Sequence, residues 1–341
     1  MNPEIAVYEA LAKELLRRCM AEDDPTDLRQ WLTEQLARLG GGEVDAVMTW
    51  IESFDLVDRM MVDYEHIANI PPGERRLLTW PWQTWNNLID PLDDGMLGVI
   101  TAPDGAGKTI YAESIAEHWA RSKNRVAFVH YELNRKLMML RRTSRHTNIT
   151  SRELKTGKLT SEQKERIAAT RPRLLEWDGS ISYVHTPGWS MERTISELRR
   201  LHADDGLDVV VLDYLEKAAA SRRQLQMFGN NTYQREADNV EQLKIFSEQT
   251  GVPVLMVAQM SKAGKTESFD KVDRTGIRGA GEKSEKANLV VIIKRERIAD
   301  GYSNEVEVMI DKNTMGGTGS FKQMMAPEYY RVGDLYKGNV P

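Results

Sequence analysis

Cysteine is nearly missing from this 341-residue chain, with Cys19 the single one. One thiol excludes a disulfide framework and a cysteine-based zinc module, and it fits a reducing compartment in which Cys19 is a small core residue. Long apolar runs are missing too: no stretch approaches the roughly 18 residues of a membrane span. The first residues, MNPEIAVYEALAKELL, carry acids and lack the apolar block of a secretory leader. The expectation is a cytoplasmic protein without a membrane partner. An excess of basic charge is also absent, the formal net charge being -5. That does not exclude nucleic acid, because a cleft or ring can gather its cations on a few loops under a mildly acidic whole. Hydrophobic residues make up 41% and charged residues 28% of the chain, which suits one large α/β domain with a smaller appendage.

What is present starts with APDGAGKT, residues 102–109. The run 96–101 reads as a buried strand and 110–120 as an amphipathic helix, so the glycines and the Lys-Thr pair sit at a strand-to-helix junction. Gly105 and Gly107 allow backbone N–H groups to turn onto phosphate oxygens at a helix N-terminus, where the dipole also favours anions. Ala102, Pro103, Asp104, Gly105, Ala106, Gly107, Lys108 and Thr109 thus form a candidate phosphate cradle for a nucleoside triphosphate, which the resemblance given below makes ATP. Lys108 would reach the β- and γ-phosphates, and the hydroxyl of Thr109 would hold Mg2+. Ala102 stands where the usual G-x-x-x-x-G-K-[ST] pattern has its first glycine.

Composition shifts at Pro71-Pro72-Gly73. Before it, amphipathic patterns predict helices over 5–20, 27–39 and 43 to about 61, with Gly40-Gly41-Gly42 as a stop signal. A helical segment over 1–70, an approach to the core over 71–95 and an α/β domain over 96–336 follow. Trp80, Trp82 and Trp85 either stack a base or seal the approach against the core. Further along, apolar strands alternate with helical stretches, predicting a mostly parallel α/β sheet flanked by helices. Strands at 125–131, 207–212 and 252–258 run into Glu132, Asp213 and Gln259, and 181–185 is another. Strands at 289–294, 305–310 and 320–325 finish the pattern, with a hairpin signal at Met315-Gly-Gly-Thr-Gly319.

Polar side chains at the carboxyl ends of such strands lie where ligands bind in open α/β sheets. Asp213 fits a Walker B carboxylate that supports Mg2+, since a lone carboxylate ending a buried strand is costly without a cation. Glu132 is a candidate general base for the attacking water, and Gln259 a candidate reader of the γ-phosphate. Their alternatives are a turn cap, an ordinary strand-end acid and a satisfied polar amide.

Residues 75–336 resemble the ATPase domain of the DnaB-like ring helicases, which share a RecA-like core. The segments that carry the resemblance occur in the family's order: TWPWQTWNNLIDPLDDG, APDGAGKT, VAFVHYELN, ITSRELKTGKLTSEQKERI, VVVLDYLEK, READNVEQLKIFSEQTGVPVLMVAQMSK, IRGAGEKSEKANLVVIIKR and DKNTMGGTGSFKQMM. The spacer ITSRELKTGKLTSEQ and the VLDYLE segment are more specific than the phosphate loop. The family accepts alanine at the place of Ala102. The resemblance implies a hexameric ring that moves along single-stranded DNA, with a primase or loader as possible partner. It assigns Lys108, Thr109, Asp213, Glu132 and Gln259 the roles given above. It also places a Lys-x-Arg pair that reaches a neighbouring subunit's nucleotide at Lys312-Asn313-Thr314, where the lysine is kept and the arginine is threonine. The missing cation then comes from Arg295, Arg297 or Lys322, or Lys312 acts alone, or turnover is slow. Candidate DNA contacts are Arg222 and Arg223 after Asp213, and Lys262, Lys265, Lys271, Arg274 and Arg278 after Gln259. Against this reading stand a RecA-like DNA-binding or loader protein with weak turnover and a small-molecule P-loop kinase.

Overall fold

The computed structural model describes residues 13–18, 50–70, 76–176, 180–259, 285–299 and 301–335. The chain divides into two compact units, Met1–Ile70 and Pro71–Pro341. In the first, helix α1 spans Trp50–Asn69. It passes the expected end near residue 61 because nothing breaks it before Pro71 and Pro72. Residues 13–18 are helical as the pattern predicts, and the helix expected over 27–39 lies outside the described residues.

The second unit opens with the short helix α2 (Gln83–Asn86), then β1 (Leu97–Ala102), α3 (Lys108–Arg121), β2 (Val126–His130), α4 (Arg135–Thr147), α5 (Ser151–Thr156) and α6 (Ser161–Leu175). It continues with β3 (Ile181–His185), α7 (Met191–Asp205), β4 (Val209–Asp213), α8 (Arg222–Phe228), α9 (Thr232–Thr250), β5 (Val254–Gln259) and β6 (Leu289–Lys294). A small hairpin, β7 (Arg297–Ile298) with β8 (Gly301–Tyr302), precedes β9 (Glu305–Asn313), β10 (Gly319–Ala326) and β11 (Arg331–Asp334). Nine of these strands form one sheet in the order β11-β10-β9-β6-β1-β5-β4-β2-β3. The run from β6 to β3 is parallel, whereas β9, β10 and β11 join antiparallel.

Strands β1, β4 and β6 are buried along their whole length because helices cover both faces, which is why they read as continuous apolar runs. Alternation still sorts their side chains. Ile100, Val211, Val257 and Val291 pack on the α3 side, while Val99, Val210, Met256 and Ile292 pack against α7 and α9. Helix starts follow from side-chain caps: Thr150 with Glu153 and Thr160 with Gln163 close capping boxes on α5 and α6, and Ser221 with Gln224 does so on α8. Among the described residues no helix is long and apolar enough to cross a membrane.

The tryptophans of the approach segment are core residues. Trp80, Trp82 and Trp85 are buried together with Trp119 and Tyr111 of α3, with ring centroids 5.1–5.9 Å apart. Each indole N–H has an acceptor: Trp80 donates to the Asp90 carbonyl, Trp82 to that of Val332, Trp119 to that of Thr79, and Trp85 to Oε1 of Gln323. This cluster fixes one flank of α3. The other flank carries Glu113 and Glu117, one turn apart, which meet Arg145 and His146 of α4. Burial works to raise the Glu117 carboxyl, but Arg145, His146 and Arg142 together hold it below the usual carboxylate range.

Trp85 is fully buried, so Trp85→Ala leaves a large cavity and should cost about 3–5 kcal/mol. Urea unfolding followed by circular dichroism reads this directly, and a loss below about 1 kcal/mol would show that the cluster does not anchor α3.

Candidate active site

The phosphate loop leaves the carboxyl end of β1 and turns into α3 through two glycines in the left-handed region, Gly105 at φ 78° and Gly107 at φ 101°. A side chain there would be strained by the backbone and would also crowd its neighbours. A Cβ on Gly105 would lie 3.0 Å from the ring of Tyr302, and one on Gly107 would lie 2.6 Å from the Met325 methyl. Tyr302, from the β7–β8 hairpin, donates its hydroxyl to the Asp104 carbonyl at 2.7 Å. Arg295, buried just after β6, donates Nε to the Ser303 carbonyl at 2.8 Å, and its Nη1 contacts the Gly105 carbonyl at 3.5 Å. The tip of the loop is therefore held from the β6 side.

Lys108 opens α3 and is buried, with Nζ donating to the carbonyls of Ala102 at 2.9 Å and Pro103 at 3.1 Å. Asp213 ends β4 and is 5% exposed, and its Oδ1 has no hydrogen-bond partner among the described residues. The hydroxyl of Thr109 lies beside this carboxylate and favours its charged form. Burial pushes the Asp213 carboxyl up to about 6, against the opposing pull of Thr109, Arg141 and Lys108. A buried carboxylate with an orphaned oxygen, next to a hydroxyl at a phosphate loop, is a hard-oxygen donor set suited to Mg2+. Beside it His130, which pairs in register with Asp213, is kept neutral: burial and the stacked His185 lower its pKa to about 4.

Glu132 lies two residues past β2, not at its end, since the strand stops at His130. Its carboxylate is exposed and 3.6 Å from Nζ of Lys217. Gln259, level with Ala102 across the β1–β5 pair, donates its backbone N–H to Glu216 at 2.9 Å and its side-chain amide to Asp104. Asp104, Gly105, Gly107, Lys108, Thr109, Glu132 and Gln259 line one cleft of about 560 Å³.

Lys312 does not line this cleft. Paired with Val290, and so level with Val99, it sits toward the opposite end of the sheet and donates Nζ to the Glu285 carbonyl at 2.8 Å. Of the three other cations considered, Arg295 lies in the cleft wall, Arg297 is exposed on β7, and Lys322 is exposed and paired with Glu305 at 2.7 Å. Arg222 is exposed at the start of α8. Arg223 is held in ion pairs with Asp238 and, at 3.3 Å, Glu192. Lys262, Lys265, Lys271, Arg274 and Arg278 lie outside the described residues.

Sequence reasoning missed Ile110, Arg141, Tyr214, Pro327 and Tyr330, which complete the lining with Arg295. No local signal was available for Arg141: the arginines at buried positions of α4 are Arg142 and Arg145, and Arg141 lies outside that stripe.

Asp213 yields a pH dependence whose sign is fixed. Its folded pKa of about 6 exceeds the ordinary 3.8, so the stability its protonated form confers is complete below 3.8 and lost as pH rises through 6. Asp213→Asn should therefore stabilise the nucleotide-free protein at pH 7 by on the order of 2 kcal/mol, while abolishing Mg2+-dependent nucleotide binding. Thermal melts across pH 4–8 check the first part and equilibrium titration with a fluorescent ATP analogue the second.

Comparison with known proteins places this geometry. The profile of the DnaB-like helicase C terminal domain family matches residues 80–334. The replicative DNA helicase DnaC of Bacillus subtilis is 24% identical over 291 residues, covering 84% of this chain and 61% of the relative. The replicative DNA helicase DnaB of Geobacillus stearothermophilus is 24% identical over 289 residues, with the same coverage. The chain thus spans about three fifths of the length of these relatives. Among solved structures, the ATPase domain of G40P superposes with a TM-score of 0.71 at 18% identity, covering 82% of this chain and 99% of that one. A DnaB-like replicative helicase described with its interactions with primase gives 0.74 at 16% identity, covering 98% and 75%.

Proposed function

Since the chain belongs to the DnaB-like helicase C-terminal domain family, we propose that it hydrolyses ATP to drive movement along single-stranded DNA, as part of a hexameric ring in the cytoplasm. The observation that carries the reading is the convergence of Lys108, Thr109, Glu132 and Gln259 on one cleft, with the orphaned carboxylate of Asp213 behind Thr109.

Phosphoryl transfer to water needs positioning and charge stabilisation more than covalent chemistry. Lys108 exchanges the carbonyls of Ala102 and Pro103 for phosphate oxygens, while the N–H groups at the start of α3 face the same anion. Thr109 and Asp213 would hold Mg2+, which supplies charge neutralisation between the phosphates. Glu132, exposed in the cleft and loosely paired with Lys217, accepts the proton of the attacking water. Gln259 bridges the phosphate loop, through Asp104, to the segment that follows β5. That segment carries Lys262, Lys265, Lys271, Arg274 and Arg278, and with Arg222 it is our candidate DNA contact. Arg223 shares this role only by giving up its pairs with Asp238 and Glu192.

Lys312, carried away from its own chain's cleft toward the start of β6, is our candidate to serve a neighbour's nucleotide in a head-to-tail ring. Thr314 beside it favours one further reading, a loader-type protein with weak turnover.

ATP turnover should rise on adding single-stranded DNA at low salt, and the rise should shrink steeply with added salt. Lys108→Ala and Glu132→Gln should each lower turnover by about 100-fold or more. Turnover that DNA leaves unchanged at low salt sinks the translocase reading, while nucleotide-dependent DNA binding without turnover would favour the loader.

The role of residues 1–70 is proposed from α1, where Leu56, Val57, Met60, Met61 and Val62 are exposed. An apolar surface of this kind suits oligomerisation or partner docking, a primase or loader included. Removing residues 1–70 should lower the mass measured by light scattering with ATP analogue present; an unchanged mass and unchanged activity would rule the role out.

A further inference from the structure

Asp104 is the one acid of the phosphate loop, residues 102–109. A carboxylate there opposes phosphate binding, because it repels the anion that the N–H groups at the start of α3 attract. Its contacts give it a task. The side-chain amide of Gln259 donates to Oδ1 of Asp104, and Nζ of Lys108 lies 3.8 Å from the same oxygen. The candidate reader of the terminal phosphate and the lysine that would reach it thus both face one carboxylate oxygen of the chain itself.

The backbone around this contact is anchored. Tyr302 donates its hydroxyl to the Asp104 carbonyl at 2.7 Å, and the Gln259 N–H donates to Oε1 of Glu216 at 2.9 Å. Gln259 is also level with Ala102 across the β1–β5 pair. The Asp104 side chain is 57% exposed, so rotation about its Cα–Cβ bond carries the carboxylate into water without shifting the loop. Release of Gln259 therefore needs only side-chain motion.

A phosphate oxygen and the Asp104 carboxylate compete for the same donors. ATP brings the stronger competitor, since a terminal phosphate carries more charge than a carboxylate. ADP lacks that group and leaves the bond between Gln259 and Asp104 in place. Resting on the nucleotide reading above, we propose that Asp104 stands in for the terminal phosphate: it holds Gln259 and faces Lys108 in the nucleotide-free and ADP-bound protein, and a triphosphate displaces it. Part of the interaction with the terminal phosphate is consumed by that displacement, so Asp104 sets how strongly the cleft prefers ATP to ADP. Once the phosphate leaves, the carboxylate takes Gln259 back and the reader is reset.

The test titrates the full chain with fluorescent, non-hydrolysable ATP and with fluorescent ADP, and measures turnover and thermal melting alongside. Asp104→Ala should bind the ATP analogue about tenfold more tightly, with ADP within about threefold of the unaltered protein. KM for ATP should fall with it and kcat should not rise, because a tighter ground state alone does not speed the chemical step. Asp104→Asn, which keeps an acceptor oxygen and loses the charge, should lie between the two, and it decides the matter if Asp104→Ala melts far below the unaltered protein. In a Gln259→Ala background, Asp104→Ala should shift the preference for ATP over ADP by no more than about twofold, since the two side chains act as one unit. An equal gain for ATP and ADP overturns the assignment, as does a gain for ATP that survives in the Gln259→Ala background, for both are the mark of simple repulsion by a loop charge. Binding of both nucleotides left unchanged by Asp104→Ala overturns it too, with the nucleotide reading intact. If the unaltered, folded protein binds neither nucleotide, that reading itself fails and this proposal falls with it.

Discussion

The docking of α3 is the constraint on which the cleft depends. This helix starts inside the phosphate loop, so any rotation or slide of α3 moves Lys108 and Thr109 relative to Asp213. Two unlike contacts prevent that. On one flank the rings of Trp80, Trp82 and Trp85 meet Tyr111 and Trp119, and on the other Glu113 and Glu117 are locked to Arg145. Buried ion pairs add little net stability over apolar packing, but removing one partner strands a charge and costs about 3–5 kcal/mol. Apolar packing alone tolerates small shifts of register, whereas paired carboxylates one turn apart accept a single register.

The sheet adds a second level of order. Because β1, β4 and β5 are adjacent and parallel, the carboxyl ends that carry the phosphate loop, Asp213 and Gln259 come out side by side. Their separation along the sequence is irrelevant to this. The antiparallel strands β9 to β11 extend the same sheet and bring Met325 and Tyr330 back to the loop and cleft. Lys312 is carried the other way, toward the far end of β6.

Much of this was legible in the residues. Runs such as VVVLD and LVVIIK announce strands buried on both faces, and their polar ends mark the edge where ligands collect. Boundaries were less so: the strand expected to run into Glu132 stops at His130, leaving the acid on a loop where it has room to reach a water. The choice between base-stacking and core roles for the tryptophans needed the tertiary partners Tyr111 and Gln323, which lie far away in sequence. Arg141 and Tyr302 escaped notice for the same reason. An arginine in a helix and a tyrosine in a hairpin have no local pattern that reveals a phosphate loop beside them.

The posture of Lys108 carries a consequence for energetics. Its ammonium rests on two carbonyls of the loop it belongs to, so the cradle supplies its own counter-dipoles before any anion arrives. Binding a triphosphate is then a substitution at nitrogen, one set of oxygens for another, and only the difference between them appears as affinity. The same self-solvation offsets the repulsion between a buried cation and the N–H groups at the start of α3.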